Sequence, residues 1–200
     1  MIIFLTAAVS YLLGSIPFGL ILLRVFRGQD VRHTGSGNIG ATNVARSSLT
    51  LGVFTLVLDA LKGLAAVALT RAFFPGRNVL AGWAALFAIL GHMFPLWLKF
   101  RGGKGVATAL GSFALLAPKT LLVILGVFIA AVLVCRRVSP ASILAVALFP
   151  VLAWWLHDYG NAPQVLLSMA VASVFIIARH HQNIRRLVAG TEPRFQWRRG

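Results

Sequence analysis

From residue 2 to residue 178 this chain is a succession of apolar runs, several as long as the roughly twenty residues that carry a helix across a bilayer. That pattern restricts the fold more than any motif does. With 58% of its residues hydrophobic and 12% charged, the chain lies outside the composition of soluble domains. The expectation is an all-α polytopic membrane protein, a single integral membrane domain over 1–200, with seven transmembrane helices. No low-complexity segment or internal repeat interrupts it.

The first span, 2–24, has no basic segment before it and reads as a retained helix rather than a cleaved signal. Gly14, Ser15, Pro17 and Gly19 crowd its second half, a composition that favours close helix packing or a kink. The second span, 51–72, carries Asp59 and Lys62; the third, 79–98, is bent near its end by Pro95. Segments 106–117 and 120–134, separated by Ala117-Pro118-Lys119, are about 18 and 22 Å long at helical rise. They read either as two thin spans or as a re-entrant pair. Runs 141–156 and 163–178 complete the set, with Trp154, Trp155 and Tyr159 placed as an interfacial aromatic belt.

Charge gives the orientation. Seven crossings put Arg24, Arg27, Arg32, Arg46, Lys99, Arg101, Lys104, Arg136, Arg137 and the basic tail from Arg179 to Arg199 on one side. The other side receives Arg71, Arg77 and Lys119. The positive-inside rule then places the N-terminus outside and the C-terminus in the cytoplasm. The net charge of +15, from 19 Lys and Arg against 4 acids, would suggest nucleic acid in a soluble chain. Beside a bilayer it suits membrane lipid and phosphorylated ligands, with no nucleic-acid partner. The one cysteine, Cys135, lies in an apolar run and reads as packing, with no disulfide framework or metal cluster.

The unusual segments collect on the basic side. The stretch SGNIGATNVAR, 36–46, combines little bulk with many hydrogen-bonding groups, so its backbone N–H groups can approach an anion closely. Gly102-Gly103-Lys104-Gly105 precedes a helix start at Val106 and resembles a phosphate cradle of free N–H groups, a positive helix end and a lysine. Taken alone it is also an ordinary basic turn at a membrane edge, and it is not a Walker A motif. Arg179-His180-His181-Gln182-Asn183 ends the last span. If the helix continues, His180 and Asn183 share a face, as do Arg179 and Asn183, while His181 points into solvent. The alternative is a set of polar residues helping a helix leave the bilayer. Asp59 and Lys62, at i,i+3 inside a span, either pair with each other or serve a nearby site. His92 reads as a hydrogen-bonded packing histidine, and Ser139 and Ser142 as helix-start caps or hydroxyls facing the same site.

What is missing narrows the chemistry. The acids are Asp30, Asp59, Asp158 and Glu192, which form no carboxylate cluster for a metal ion. That argues against a CDP-alcohol phosphotransferase, a kinase or a metallohydrolase, and implies no metal and no cofactor. There is no His-x4-Asp acyltransferase motif and no Gly-x-Ser-x-Gly elbow. Backbone N–H groups, hydroxyls, amides, a histidine and cations remain, equipment for binding two anions side by side.

Three blocks carry a family resemblance: SGNIGATNVAR at 36–46, GHMFPLWLKFRGGKG at 91–105, and RHHQNIRRLVAGTE at 179–192, with LDALKG at 58–63 also similar. In this order the chain resembles the bacterial acyl-phosphate:glycerol-3-phosphate acyltransferases (PlsY) over essentially its whole length. The resemblance implies a seven-span enzyme of the bacterial inner membrane, in the orientation the charges give. It implies transfer of an acyl group from acyl phosphate to the 1-hydroxyl of glycerol 3-phosphate, giving lysophosphatidic acid and phosphate in the first step of phospholipid synthesis. By matching position, Ser36, Arg46, Lys104, His180 and Asn183 resemble the family's functional set. Lys104 with Gly102, Gly103 and Gly105, and Asn38, Thr42 and Asn43, are expected to bind phosphate. Arg46 offers its fork to the second phosphate. Ser36, Lys104, His180 and Asn183 are the expected catalytic group, with Ser142 a further ligand contact. No base stands beside Ser36 in the sequence, so a covalent acyl-serine is not expected. The rival reading, a transporter of phosphorylated metabolites, predicts polar gates on both membrane faces. The motifs here gather on one.

Overall fold

A computed structural model describes residues 1–158 and 162–194. Every regular element among them is helical. Tyr159, Arg198 and Arg199 lie outside the described residues, so the expected aromatic belt is represented by Trp154 and Trp155, both exposed. The chain divides into two compact units, Met1–Leu116 and the residues from Ala117 onward.

The first unit holds α1 (Ile2–Gly14), α2 (Phe18–Arg27), α3 (Ala41–Ser47), α4 (Leu49–Phe73), α5 (Asn78–Met93) and α6 (Val106–Leu116). The small residues of the first span do both things expected of them. Helical structure breaks at 15–17, where Pro17 supplies no N–H and the Ser15 hydroxyl donates to the Tyr11 carbonyl at 2.8 Å. They also let backbones touch. A Cβ on Gly14 would lie 2.0 Å from the Ala88 carbonyl, and one on Gly91 2.2 Å from that of Tyr11, so α1 and α5 meet along a seam with no side chain between. In lipid, where apolar side chains gain nothing by leaving their surroundings, such close backbone contact is the main attraction between helices. The Tyr11 hydroxyl closes the seam by donating to the Phe94 carbonyl at 2.6 Å.

The second unit holds α7 (Pro118–Cys135), α8 (Val138–Trp155), α9 (Pro163–Arg179) and α10 (His181–Val188). Here the reading of 120–134 as a 22 Å segment is corrected. Pro118 belongs to the helix and occupies its first turn, where the missing N–H has no intrahelical partner to lose. With 18 residues, α7 is about 27 Å long. Among the described residues, five stretches are long and apolar enough to cross a bilayer: Ile2–Arg27, Leu49–Phe73, Asn78–Leu98, Pro118–Cys135 and Val138–Trp155. A sixth exists if α9 and α10, bent by 54°, count as one. Val106–Leu116, at 11 residues, is shorter than a full crossing.

Asp158 caps α7 from the far end of the following helix. Its Oδ2 accepts the Thr120 N–H at 2.8 Å and the Thr120 hydroxyl at 2.7 Å, placing a negative charge at a positive helix end. Asp158→Ala is expected to destabilise the protein by about 1 kcal/mol, the usual effect of losing an N-terminal cap. A melting curve in detergent checks it; an unchanged melting temperature would show that solvent replaces the cap.

Candidate active site

The 36–46 stretch is a braced loop. After α2, Asp30 accepts the Arg32 N–H at 2.9 Å and starts a 3₁₀ turn at Val31–His33. Hydrogen bonds from the Arg32 side chain, with its charge, hold the Asp30 carboxyl well below the ordinary carboxylate range. The centre of the loop is Asn43 on α3. Its Oδ1 accepts the Ser36 N–H at 2.9 Å, and its Nδ2 donates to the carbonyls of Val31, Thr34 and Asn38 at 3.2, 2.9 and 2.9 Å. The expected phosphate contact through this amide is therefore corrected: its donors hold the loop's own backbone. Asn38 is likewise engaged, its Oδ1 accepting the Gly40 N–H at 2.9 Å in an Asx turn. Ser36, Thr42 and Arg46 are exposed around this frame. The Arg46 side chain crosses Gly35, whose backbone is left-handed at φ +52°; a Cβ there would lie 2.3 Å from Asn43 Oδ1 and 3.1 Å from Arg46 Nη1.

The 102–105 segment departs from the free cradle expected of it. Gly102 N–H donates to the Met93 carbonyl and Gly103 N–H to the His92 carbonyl, each at 3.0 Å, so both glycines lie along the end of α5. Two of the amides expected to face phosphate are thus committed to the fold. Lys104 is half-buried, and Gly105, at φ +89°, leads into the first turn of α6, whose N–H groups have no intrahelical acceptor. One apolar cluster joins Ile39 and Val44 of the first segment to Val31 and Leu98, from the turns that precede the two segments, and to Leu20, Leu23 and Leu51 from α2 and α4.

Behind the second segment, Lys62 Nζ and Asp59 Oδ1 are 2.8 Å apart, each side chain 2% exposed. The expected mutual pairing is present. It has a third member that sequence spacing did not indicate, because His92 Nδ1 lies 3.0 Å from Lys62 Nζ and 30 positions along the chain.

In the second unit the condition of a continuous helix through 179–183 is not met. α9 ends at Arg179 and the chain turns at His180, whose N–H donates to the Ile177 carbonyl at 2.9 Å in a tightened last turn. His180 and Asn183 are both buried, and His181 is exposed as expected. The His180 Nδ1 lies 2.7 Å from the Ile176 carbonyl. A carbonyl only accepts, so Nδ1 carries a proton toward Ile176.

Asn183 is oriented by Glu192. The carboxylate accepts from Asn183 Nδ2 at 2.6 Å, from the Ser139 hydroxyl at 2.5 Å and from Arg186 Nε at 2.7 Å. Burial raises its pKa, but these donors and the Arg186 charge outweigh burial and hold the carboxyl below its ordinary value. With Nδ2 facing Glu192, Asn183 Oδ1 is a buried acceptor with no hydrogen-bond partner among the described residues. Ser142 differs from expectation in one respect: its hydroxyl donates to the Val138 carbonyl at 3.0 Å, leaving it an acceptor toward any ligand.

Residues 4–190 match the family model described as glycerol-3-phosphate acyltransferase. The chain belongs to that family. A glycerol-3-phosphate acyltransferase of Syntrophotalea carbinolica is 45% identical over 94% of this chain and 94% of its own. One from Mesorhizobium japonicum is 47% identical over 92% and 91%. The crystal structure of PlsY (YgiH), an integral membrane glycerol 3-phosphate acyltransferase, in its glycerol 3-phosphate form superposes with a TM-score of 0.91. It is 37% identical, covering 98% of this chain and 96% of that one. The lysophosphatidic acid form gives 0.87 at 36% identity, with the same coverage. His92 is hydrogen-bonded and buried, as the packing histidine expected from the sequence, and the residue that sequence reasoning gave no place at the site is Glu192. The only signal for Glu192 was an acid in an acid-poor chain, inside the third block.

Proposed function

We propose that this acyltransferase moves an acyl group from acyl phosphate to the 1-hydroxyl of glycerol 3-phosphate, as a single catalytic domain over 1–200. The hydroxyl oxygen attacks the acyl carbonyl carbon, the bond from that carbon to the phosphate oxygen breaks, and phosphate leaves with the electron pair. The observation that carries the reading is the likeness, over 98% of the chain, to a solved relative in forms described with glycerol 3-phosphate and with lysophosphatidic acid. Seven spans in the bacterial inner membrane, with the N-terminus outside, are the reading that the one-sided charge distribution and the family resemblance support. The motifs then face the cytoplasm, where soluble phosphorylated substrates are found.

In the first unit, Lys104, Gly105 and the first turn of α6 bind one phosphate. Arg46, with Ser36 and Thr42 exposed beside it, takes the other; Gly102, Gly103, Asn38 and Asn43 hold the backbone that presents them. In the second unit, Asn183 Oδ1 accepts from a substrate hydroxyl, and His180 and Ser142 add contacts. The test of the reaction is direct. Purified protein given acyl phosphate and glycerol 3-phosphate is expected to release lysophosphatidic acid and inorganic phosphate one for one, with little or no product from acyl-CoA. Comparable rates with both donors would overturn the donor assignment, and transport of the phosphate ester without acylation would restore the transporter.

The proton of the glycerol hydroxyl goes to the leaving phosphate, whose second ionisation lies near neutral pH, with His180 and Asn183 orienting the hydroxyl. His180→Gln, which keeps hydrogen bonding without imidazole basicity, is therefore expected to lose activity only partially and to keep the wild-type pH profile. Abolished turnover with intact substrate binding, together with a wild-type acid limb that follows a histidine, would make His180 the base.

A further inference from the structure

The buried Asp59–Lys62 pair has no task in the chemistry above, yet its contacts lead to the phosphate segment. Besides Asp59, the Lys62 ammonium donates to the Ile16 carbonyl at 2.7 Å, in the break of the first span, and lies 3.0 Å from His92 Nδ1. His92 Nδ1 is thus held between the Lys62 ammonium and Asp59 Oδ1, which lies 3.5 Å from it. The other ring nitrogen, Nε2, faces Gly103, where a Cβ would come within 1.9 Å of it. The His92 carbonyl also accepts the Gly103 N–H. His92 therefore grips Gly103 by ring and by main chain, one position before Lys104.

We infer that Asp59, Lys62 and His92 are positioning residues for the acyl-transfer reaction, a buried brace that sets the backbone at Gly103 and so aims Lys104 at phosphate. The inference rests on the reading of 102–105 as the phosphate segment. Holding helices together does not require an ion pair in a lipid-embedded core, where a well-packed apolar pair does so without desolvating charge. What an apolar pair cannot do is hold His92 Nδ1 by polar contacts and so fix its ring plane. Gly103 shows the other side of the fit, since any side chain there collides with the ring.

Two substitutions separate positioning from folding. His92→Asn keeps an amide near Lys62 but stops short of Gly103, whereas His92→Gln extends an N–H to about the place of Nε2. His92→Asn is expected to lower kcat/KM about 10-fold and His92→Gln no more than about 3-fold, with both variants compared in a Lys104→Met background as a double-mutant cycle. Because the brace acts through Lys104, His92→Asn should cost less than about 2-fold further there. The same loss in both backgrounds would mark a general folding defect and overturn the inference, even if the variant melts at a lower temperature. No loss from His92→Asn in the wild-type background would overturn it too. Near-normal turnover of Lys104→Met by itself would bring down the phosphate assignment, and is read separately from the cycle.

Discussion

Replacing Lys104 by Met lowers kcat/KM by about 100-fold or more, the scale on which removal of one preorganised electrostatic contact acts at other active sites. The substitution keeps the length of the stem and removes the charge. The neighbouring backbone offers little to compensate, because the Gly102 and Gly103 amides already donate to the Met93 and His92 carbonyls. Helix α6 contributes the partial charge of its first turn, which is weaker than a full cation and set by the backbone. Steady-state rates with purified protein, alongside a melting curve to show that the variant is folded, decide the matter. A folded Lys104→Met enzyme with near-normal turnover would remove 102–105 from the phosphate site.

Glu192→Ala is the corresponding experiment in the second unit, and its expected effect is on stability first. Three side chains, Ser139, Asn183 and Arg186, donate to this buried carboxylate, and the Arg137 side chain donates to its main-chain carbonyl at 3.1 Å. Removing the carboxylate leaves buried donors without an acceptor and a guanidinium without its partner, a loss of about 3 kcal/mol or more. Activity is expected to fall as well, because the Asn183 amide loses the acceptor that keeps its nitrogen toward Glu192 and its oxygen turned away from it. The pH dependence has a definite sign. The folded carboxyl titrates below its ordinary value of 4.5, so its stabilisation is complete above that value and is lost as pH falls through the lowered one. A melting temperature equal to wild type, or one with no acid dependence to lose, would contradict this account.

The sequence made the helices legible because lipid forces an apolar run wherever the chain crosses. It made the break at 15–17 legible because Gly14 and Pro17 act on their own backbone. Asp59 and Lys62 could be paired from spacing alone. His92 could not be added to them, since the contact is made by the approach of α5 to α4. The same limit hid the acceptors of the Gly102 and Gly103 amides, which are carbonyls at the end of α5, and the cap that Asp158 gives to Thr120. At Pro118 a rule was applied in the wrong place: proline ends a helix in its interior but opens one at its first turn. The turn at His180 was not legible for a subtler reason. Nothing in its residue type announces a turn, and the helix ends there through backbone bonds to Ile177 and a ring bond to Ile176.

Asn43 has a consequence for motion. One amide ties Val31, Thr34, Ser36 and Asn38 together, so letting go of any one of these strands of backbone exposes unsatisfied groups on the others. A loop knotted in this way opens as a unit or stays shut. Its amides should exchange with solvent together, in one slow event shared with α3, rather than singly as in a frayed connection. Such a segment is unsuited to serve as a moving lid. If Ser36 and Arg46 meet substrate as proposed, the backbone that carries them is already in place, so little ordering entropy is lost on binding.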